Sequence, residues 1–299
     1  MPGYCHHLYI LPFDHRSSFA RVFLGNFKKL DKKQIKLIKS YKQIIFDAFL
    51  LAIKHIIPAD DCAIMIDDVF GADIIKSAQK KNITVCLPVE KSGQQQFSFE
   101  HGKNFDKYIL NFQPQIVKAL VRYNPNKDNK KNNLIQLKRL KKLNDWCRAK
   151  NYKFMLELLV PSTESNLKRA RGKRENYDLR IRPQLTSRAI SEFSQAAIWP
   201  DIWKIEAYEK QEDWQEIIDL IRDDGRDEVA IIMLGRGESF AKVKSWMNIA
   251  PKHLLNGFAV GRTVFLRPLL DFHQKKIGKK QTIWQIAKNY LELIRYWEK

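Results

Sequence analysis

Short apolar runs alternate with longer stretches of helical period along almost the whole chain. The runs are Leu8 to Phe13, Ala63 to Ile66, Ile83 to Leu87, Ile116 to Val121, Phe154 to Val160, Ile202 to Ile205, Val229 to Leu234 and Phe258 to Val260. Runs of this length bounded by polar residues read as buried strands. Between the first two, Ile35, Ile38, Ile45, Phe49, Ala52 and Ile56 fall on one side of a helix. Further helices are predicted at Ala72 to Lys80, near Phe105, at Leu134 to Ala149, Gln184 to Ala197, Trp214 to Ile221 and Phe240 to Ile249. A C-terminal helix over 281–298 carries Ile283, Ile286, Ala287, Tyr290, Ile294 and Trp297 at helical spacing. The segment 162–178 is polar and charged, and is expected to be a long loop on the active-site side.

Strands separated by helices imply parallel βαβ units. About eight such units fit a closed TIM-type (β/α)8 barrel better than an open sheet. No Gly-rich dinucleotide fingerprint follows the first strand, which removes the best signal for a Rossmann fold. With no Pro/Gly/Ser linker, residues 1–299 are expected to form one barrel domain.

Strand side chains alternate between two faces, and this parity exposes polar residues where apolar ones belong. If Trp203 and Ile205 face the helices, Lys204 and Glu206 point inward. By the same alternation Val117, Ala119 and Val121 face out and Lys118 faces in, while Phe154, Leu156 and Leu158 face out and Glu157 faces in. Asp14 ends the first run on the side opposite Tyr9, Leu11 and Phe13. An unpaired buried charge is costly, so convergent inward charges are either an internal ion-pair network or a site. In this fold the C-terminal ends of the strands are where sites are built.

The residue types suggest the chemistry. A lysine forms a Schiff base once an apolar pocket or a second cation disfavours its charged form. Lys204 is the candidate nucleophile and Lys118 the neighbouring cation. Glu157 would move protons between substrate hydroxyl, carbinolamine and water, and Asp14 would orient a lysine or a hydroxyl. Such a set suits reversible C–C cleavage next to a ketone. Gly235-Arg236-Gly237 follows the seventh run and Gly261-Arg262 the eighth, where barrels commonly hold a phosphate.

Composition adds limits. The formal net charge is +20 and 44% of residues are hydrophobic. Such a charge admits nucleic acid, an anionic membrane or a phosphorylated substrate as partner, or simply a lysine-rich solvated surface. Cys5, Cys62, Cys86 and Cys147 form no C-x-x-C pair and no zinc spacing, so a reducing compartment is expected. No signal peptide pattern opens the chain and no apolar run spans a bilayer, so a cytoplasmic protein without a membrane partner is expected.

Several stretches also carry a family resemblance. They are Leu11-Pro12-Phe13-Asp14-His15-Arg16, Leu87-Pro88-Val89-Glu90-Lys91-Ser92-Gly93, Lys118 to Pro125, Glu157 to Pro161, Pro200 to Glu206, Leu234 to Gly237, and Gly257 to Thr263. In this order the chain resembles the aldolase-like C-terminal domain of bifunctional 5-dehydro-2-deoxygluconokinases of inositol catabolism, itself similar to class I tagatose 1,6-bisphosphate aldolases. The resemblance implies Lys204 as the imine lysine, Glu157 as proton shuttle, Lys118 and Asp14 as supporting partners, and Arg262 as a phosphate ligand. Gly261, Gly235, Arg236, His15, Arg16 and Glu90 complete the expected substrate and phosphate set. The implied reaction cleaves 6-phospho-5-dehydro-2-deoxygluconate to dihydroxyacetone phosphate and malonate semialdehyde, without metal or other cofactor. His15 stands where the tagatose enzymes carry Gln, which bears on sugar specificity, and Ala207 stands where a Gly follows Lys-x-Glu. The sugar-kinase half is not expected within these residues.

Three other readings compete. A metal-dependent aldolase needs several converging His and carboxylate ligands. His6-His7 precedes the first strand, and His101 and His273 sit in polar segments, leaving His15 alone. A nucleic-acid-binding protein would use the basic runs 138–142 and 168–174, but no recognition motif accompanies them, so a nucleic-acid partner is not expected. A barrel with only a binding or regulatory role is opposed by the retained inward charges. The expected partner is a phosphorylated small molecule, and a homo-oligomer is left open.

Overall fold

The computed structural model describes residues 3–55, 58–126 and 129–299. Eight parallel strands close into a barrel in sequence order, each paired with its chain neighbours and β8 with β1. They are β1 (Leu8–Pro12), β2 (Cys62–Met65), β3 (Thr84–Pro88), β4 (Ile116–Arg122), β5 (Lys153–Leu159), β6 (Ile202–Glu206), β7 (Ala230–Leu234) and β8 (Gly257–Ala259). The fold is the TIM-type barrel that the alternation of runs implies.

Helices fill the intervals: α1 (Ser17–Leu24), α2 (Lys32–Ile53), α3 (Asp68–Gln79), α4 (Phe105–Phe112), α5 (Lys130–Ala149), α6 (Glu164–Arg169), α7 (Arg174–Arg180), α8 (Arg182–Gln195), α9 (Gln211–Arg222), α10 (Phe240–Ile249), α11 (Arg262–His273) and α12 (Lys279–Trp297). Side chains start several of them. Asp31 and Gln34 form a reciprocal capping box at α2, and Asp67 and Ser239 accept backbone N–H groups at the starts of α3 and α10.

Two apolar layers follow from strand alternation. One set, including Leu8, Ile10, Met65, Cys86, Met155, Ile202 and Ile232, plugs the barrel interior. The other, including Tyr9, Leu11, Val117, Ala119, Leu156, Trp203 and Ile205, packs under the helices. The parity reading therefore holds on β1, β4, β5 and β6. The C-terminal helix packs against α2 and locks to the barrel through Tyr290, whose hydroxyl donates to the Tyr9 carbonyl at 2.5 Å.

Three expectations need correction or completion. The segment 162–178 is not a long loop, because α6 and most of α7 lie in it. Thr163 and Asn166 form a capping box there, and Tyr177 buries against the barrel, donating to the Val160 carbonyl at 2.7 Å. Helices this short carry too little apolar periodicity to stand out. Helix α1 also escapes the pattern, being short, and α11 holds Pro268 in its interior, a residue that reads as a break. Ile56, assigned to the apolar side of α2, lies outside the described residues.

Candidate active site

The strand register brings the inward charges together. Glu157 on β5 is the direct partner of Lys204 on β6, and Lys118 on β4 pairs with Pro88 at the end of β3. Asp14 and Glu90 follow β1 and β3 at the same rim. These side chains floor a cavity of about 460 Å³ at the C-terminal mouth of the barrel, and every site residue expected from the sequence lines it.

The two lysines are not equivalent. Lys118 Nζ lies 2.6 Å from Glu90 Oε1, 2.8 Å from Glu157 Oε2 and 3.2 Å from Asp14 Oδ2. An ammonium has three N–H donors; here Glu90 and Asp14 accept hydrogen bonds and Glu157 completes the ion pairing. Burial opposes the charge on Lys118, but Asp14, Glu157 and Glu90 outweigh it and hold its pKa well above the ordinary lysine value. Lys118 is a fixed cation. Lys204 Nζ, 3% exposed, has one carboxylate, Glu157 Oε2 at 3.0 Å, and otherwise the Met65 sulfur at 3.9 Å. Of the two amines, it is the one with bonding capacity to spare.

The carboxyl groups divide as well. Burial alone would raise Glu157, yet Lys118 first and Lys204 second pull it below the ordinary glutamate value. Asp14 is likewise lowered, because Lys118 leads the cations that overcome its burial. For Glu90 burial wins over Lys118, and its pKa is raised. Its second oxygen, Oε2, is buried without a protein partner, and Glu90 lines the cavity. His15 is pushed down to about 4, chiefly by burial, with Asp14 opposing and Arg262 reinforcing the shift. Its Nδ1 lies 3.9 Å from Asp14 Oδ1, so a neutral imidazole stands beside the carboxylate.

One end of the cavity is suited to an anion. Gly261 precedes α11, whose first turn has no side-chain cap, so backbone N–H groups and the helix dipole face the mouth. Arg262 opens that helix and is exposed, and its Nη2 donates to the Arg236 carbonyl at 2.9 Å. Gly235 packs against Val260 at the same edge.

Two expected ligands are otherwise engaged. The Arg236 guanidinium lies 3.0 Å from Asp178 Oδ2 and 3.3 Å from Glu206 Oε1, so two carboxylates take up its charge. Arg16 is 6% exposed, pairs with Glu100 and donates to the Glu90 carbonyl at 3.3 Å. It braces the loop that carries Glu90. The structure adds lining residues that were not expected, among them Arg21, Arg122 and Arg174. Extending the β4 alternation from Lys118 through Leu120 would have found Arg122, whereas Arg21 and Arg174 sit on the helices that the pattern missed. Among the described residues, no group of three or more His, Cys, Asp or Glu side chains is placed to hold a metal, and no helix is long and apolar enough to cross a membrane.

The profile of the family described as "Uncharacterized protein conserved in bacteria (DUF2090)" matches residues 3–299, and the chain belongs to that family. None of the curated proteins matches the chain. Among solved structures, a Schiff-base-forming fructose-1,6-bisphosphate aldolase superposes with a TM-score of 0.56 at 14% identity, over 97% of this chain and 93% of its own. An archaeal fructose 1,6-bisphosphate aldolase gives 0.55 at 11% identity over 97% and 93% of the two chains. A fructose-bisphosphate aldolase from Slackia heliotrinireducens gives 0.54 at 11% identity over 94% and 86%. At these identities the likeness establishes the barrel architecture.

Proposed function

We propose that this member of the DUF2090 family is a class I aldolase in which Lys204 forms a Schiff base with a phosphorylated ketose or keto sugar acid. The observation that carries the reading is the unequal pair of buried lysines on one carboxylate oxygen. Lys118 is saturated by three carboxylates, while Lys204 keeps only Glu157 and a thioether beside it.

In this mechanism Glu157 takes the proton that frees the Lys204 amine, which adds to the substrate ketone. Glu157 returns a proton to the carbinolamine oxygen, water leaves, and the nitrogen becomes a protonated imine. Asp14, Glu90 and Glu157 favour that new cation in a water-poor setting. Glu157, again a carboxylate, takes the proton from the hydroxyl on the far carbon of the bond to be broken, and that hydroxyl becomes a carbonyl. The C–C pair of electrons moves to the iminium to give an enamine. Protonation of the enamine carbon and hydrolysis of the imine release the second product and restore Lys204. Arg262 and the start of α11 hold the phosphate, and the free Glu90 oxygen and His15 read hydroxyls of the sugar. Arg16 acts through Glu90 and not on the substrate. The resemblance favours 6-phospho-5-dehydro-2-deoxygluconate, with dihydroxyacetone phosphate and malonate semialdehyde as products. The architecture shared with a Schiff-base-forming aldolase supports the same class of chemistry.

The test is mass spectrometry after borohydride reduction in the presence of dihydroxyacetone phosphate. One covalent adduct is expected on Lys204, and it disappears in Lys204→Ala. An adduct on Lys118 would overturn the assignment of roles, and none on either lysine would sink the mechanism.

A further inference from the structure

The turn after β7 has an unusual centre. Glu238 N–H donates to the Gly235 carbonyl at 3.2 Å, which closes a four-residue turn. Its two central residues, Arg236 and Gly237, have φ of 51° and 74°. Glycine adopts this region freely, but an arginine there costs about 1–2 kcal/mol. A side chain kept in such a place against that cost is held by something, and here the holders are visible. Arg236 spans Glu206 at the end of β6 and Asp178 on α7. Asp178 in turn pairs with Arg182 Nε at 2.9 Å, and Arg182 is 1% exposed and donates to the Ala207 carbonyl at 2.7 Å. The anchor is therefore rigid on the barrel side.

The other side of the turn faces the anion pocket. The Arg236 carbonyl accepts from Arg262 Nη2 at 2.9 Å. A Cβ on Gly237 would stand 2.6 Å from the Arg262 guanidinium, so that group lies flat against the bare α-carbon. The shape of the turn thus sets where the Arg262 guanidinium rests.

From this we infer that Arg236 is a positioning residue for the anion pocket, not a ligand in it. Its ion pairs to Asp178 and Glu206 fix the turn whose carbonyl and glycine aim Arg262. The inference rests on the reading of Arg262 and the start of α11 as a phosphate site. Charge and position predict opposite signs for one substitution. Asp178→Asn removes a negative charge near the pocket and frees the Arg236 guanidinium, so electrostatics alone would tighten anion binding. If Arg236 works by holding the turn, the same change loosens binding, since small displacements of a binding group are costly.

The measurement is calorimetric titration of the full chain with inorganic phosphate, with thermal midpoints recorded alongside. Asp178→Asn is expected to weaken binding by about tenfold. Arg236→Lys, which keeps the charge but loses the forked geometry, is expected to do the same and decides the matter if Asp178→Asn does not fold. Phosphate binding unchanged or tighter in the folded Asp178→Asn protein, or unchanged in Arg236→Lys, overturns the inference. Arg262→Ala separates the two layers. If it weakens binding while the Arg236 and Asp178 variants do not, the phosphate site stands and only the positioning role fails. If it has no effect, or the unmodified chain binds no phosphate, the phosphate site itself falls and the inference with it.

Discussion

Lys204 and Glu157 are direct partners across β5 and β6, and their side-chain ends meet at 3.0 Å. The same carboxylate oxygen also takes Lys118 at 2.8 Å, and the proposed mechanism uses Glu157 to exchange a proton with Lys204 beside that fixed cation. Glu157→Gln keeps the size and one acceptor but loses the exchangeable proton. Turnover of the cleaved sugar phosphate is expected to fall by about 10²–10⁴-fold, the usual worth of a placed acid–base group. Adduct yield on Lys204 after long incubation with borohydride should fall far less than the rate. A variant with nearly full turnover would remove Glu157 from the chemistry.

The alternation of strand side chains made the floor of the site legible, since each inward charge on β4, β5 and β6 broke an otherwise apolar face. Asp14 followed from the same alternation carried past the end of β1, whereas Glu90 needed motif context, because the run ending at Leu87 gave no polar residue to place by parity. The engagement of Arg236 was not legible. It depends on Asp178, brought to the mouth by a short helix, α7, that has no side-chain cap and packs through Tyr177. A Gly-Arg-Gly turn looks the same in sequence whether its arginine faces an anion or two carboxylates.

His15 links the site to the pH dependence of folding. Its folded-state pKa of about 4 lies below the ordinary histidine value of 6.5. Between those values the unfolded chain binds a proton that the folded chain does not, so stability rises with pH through this window and is lost on acidification. Asp14 and Glu157, held below their ordinary values of 3.8 and 4.5, add their own loss as the pH falls through those ordinary values. Denaturant unfolding at pH 6.5 and 4.5 should therefore show a smaller loss for His15→Gln than for the unmodified chain. Equal losses would mean that His15 does not exclude its proton on folding.

Two glycines at the mouth should respond differently to alanine. A Cβ on Gly261 would overlap the Pro12 carbonyl oxygen, where β8 and β1 close the barrel, and backbone on both sides leaves no room to relax. Gly261→Ala is expected to cost more than about 4 kcal/mol, or to prevent folding, as a change with no available adjustment. Gly93 has φ of 75°, and a Cβ added there would meet nothing within 4 Å, so Gly93→Ala carries only the conformational penalty of about 1–2 kcal/mol. Thermal or urea unfolding of both variants checks the ordering, and a Gly261→Ala protein as stable as Gly93→Ala would contradict it.

Just past the C-terminal end of β2, Asp67 at the start of α3 forms an ion pair with Lys42 on α2, both side chains fully buried. Phe19 and Phe70 flank the ammonium at 5.7 and 5.3 Å from their ring centres, and Asp67 also accepts the Phe70 N–H at 3.0 Å. A pair this deep gains little over an apolar replacement, but removing one member strands a charge. Lys42→Met, which roughly keeps the volume, should cost about 3–5 kcal/mol because Asp67 remains buried without its cation. Adding Asp67→Asn removes that charge and keeps an oxygen for the α3 cap. The double variant should then be more stable than Lys42→Met alone, so that the two changes are strongly non-additive in urea unfolding. Simple additivity would show that Asp67 is neutralised some other way in the single variant, and that the aromatic cage, not the carboxylate, is what Lys42 serves.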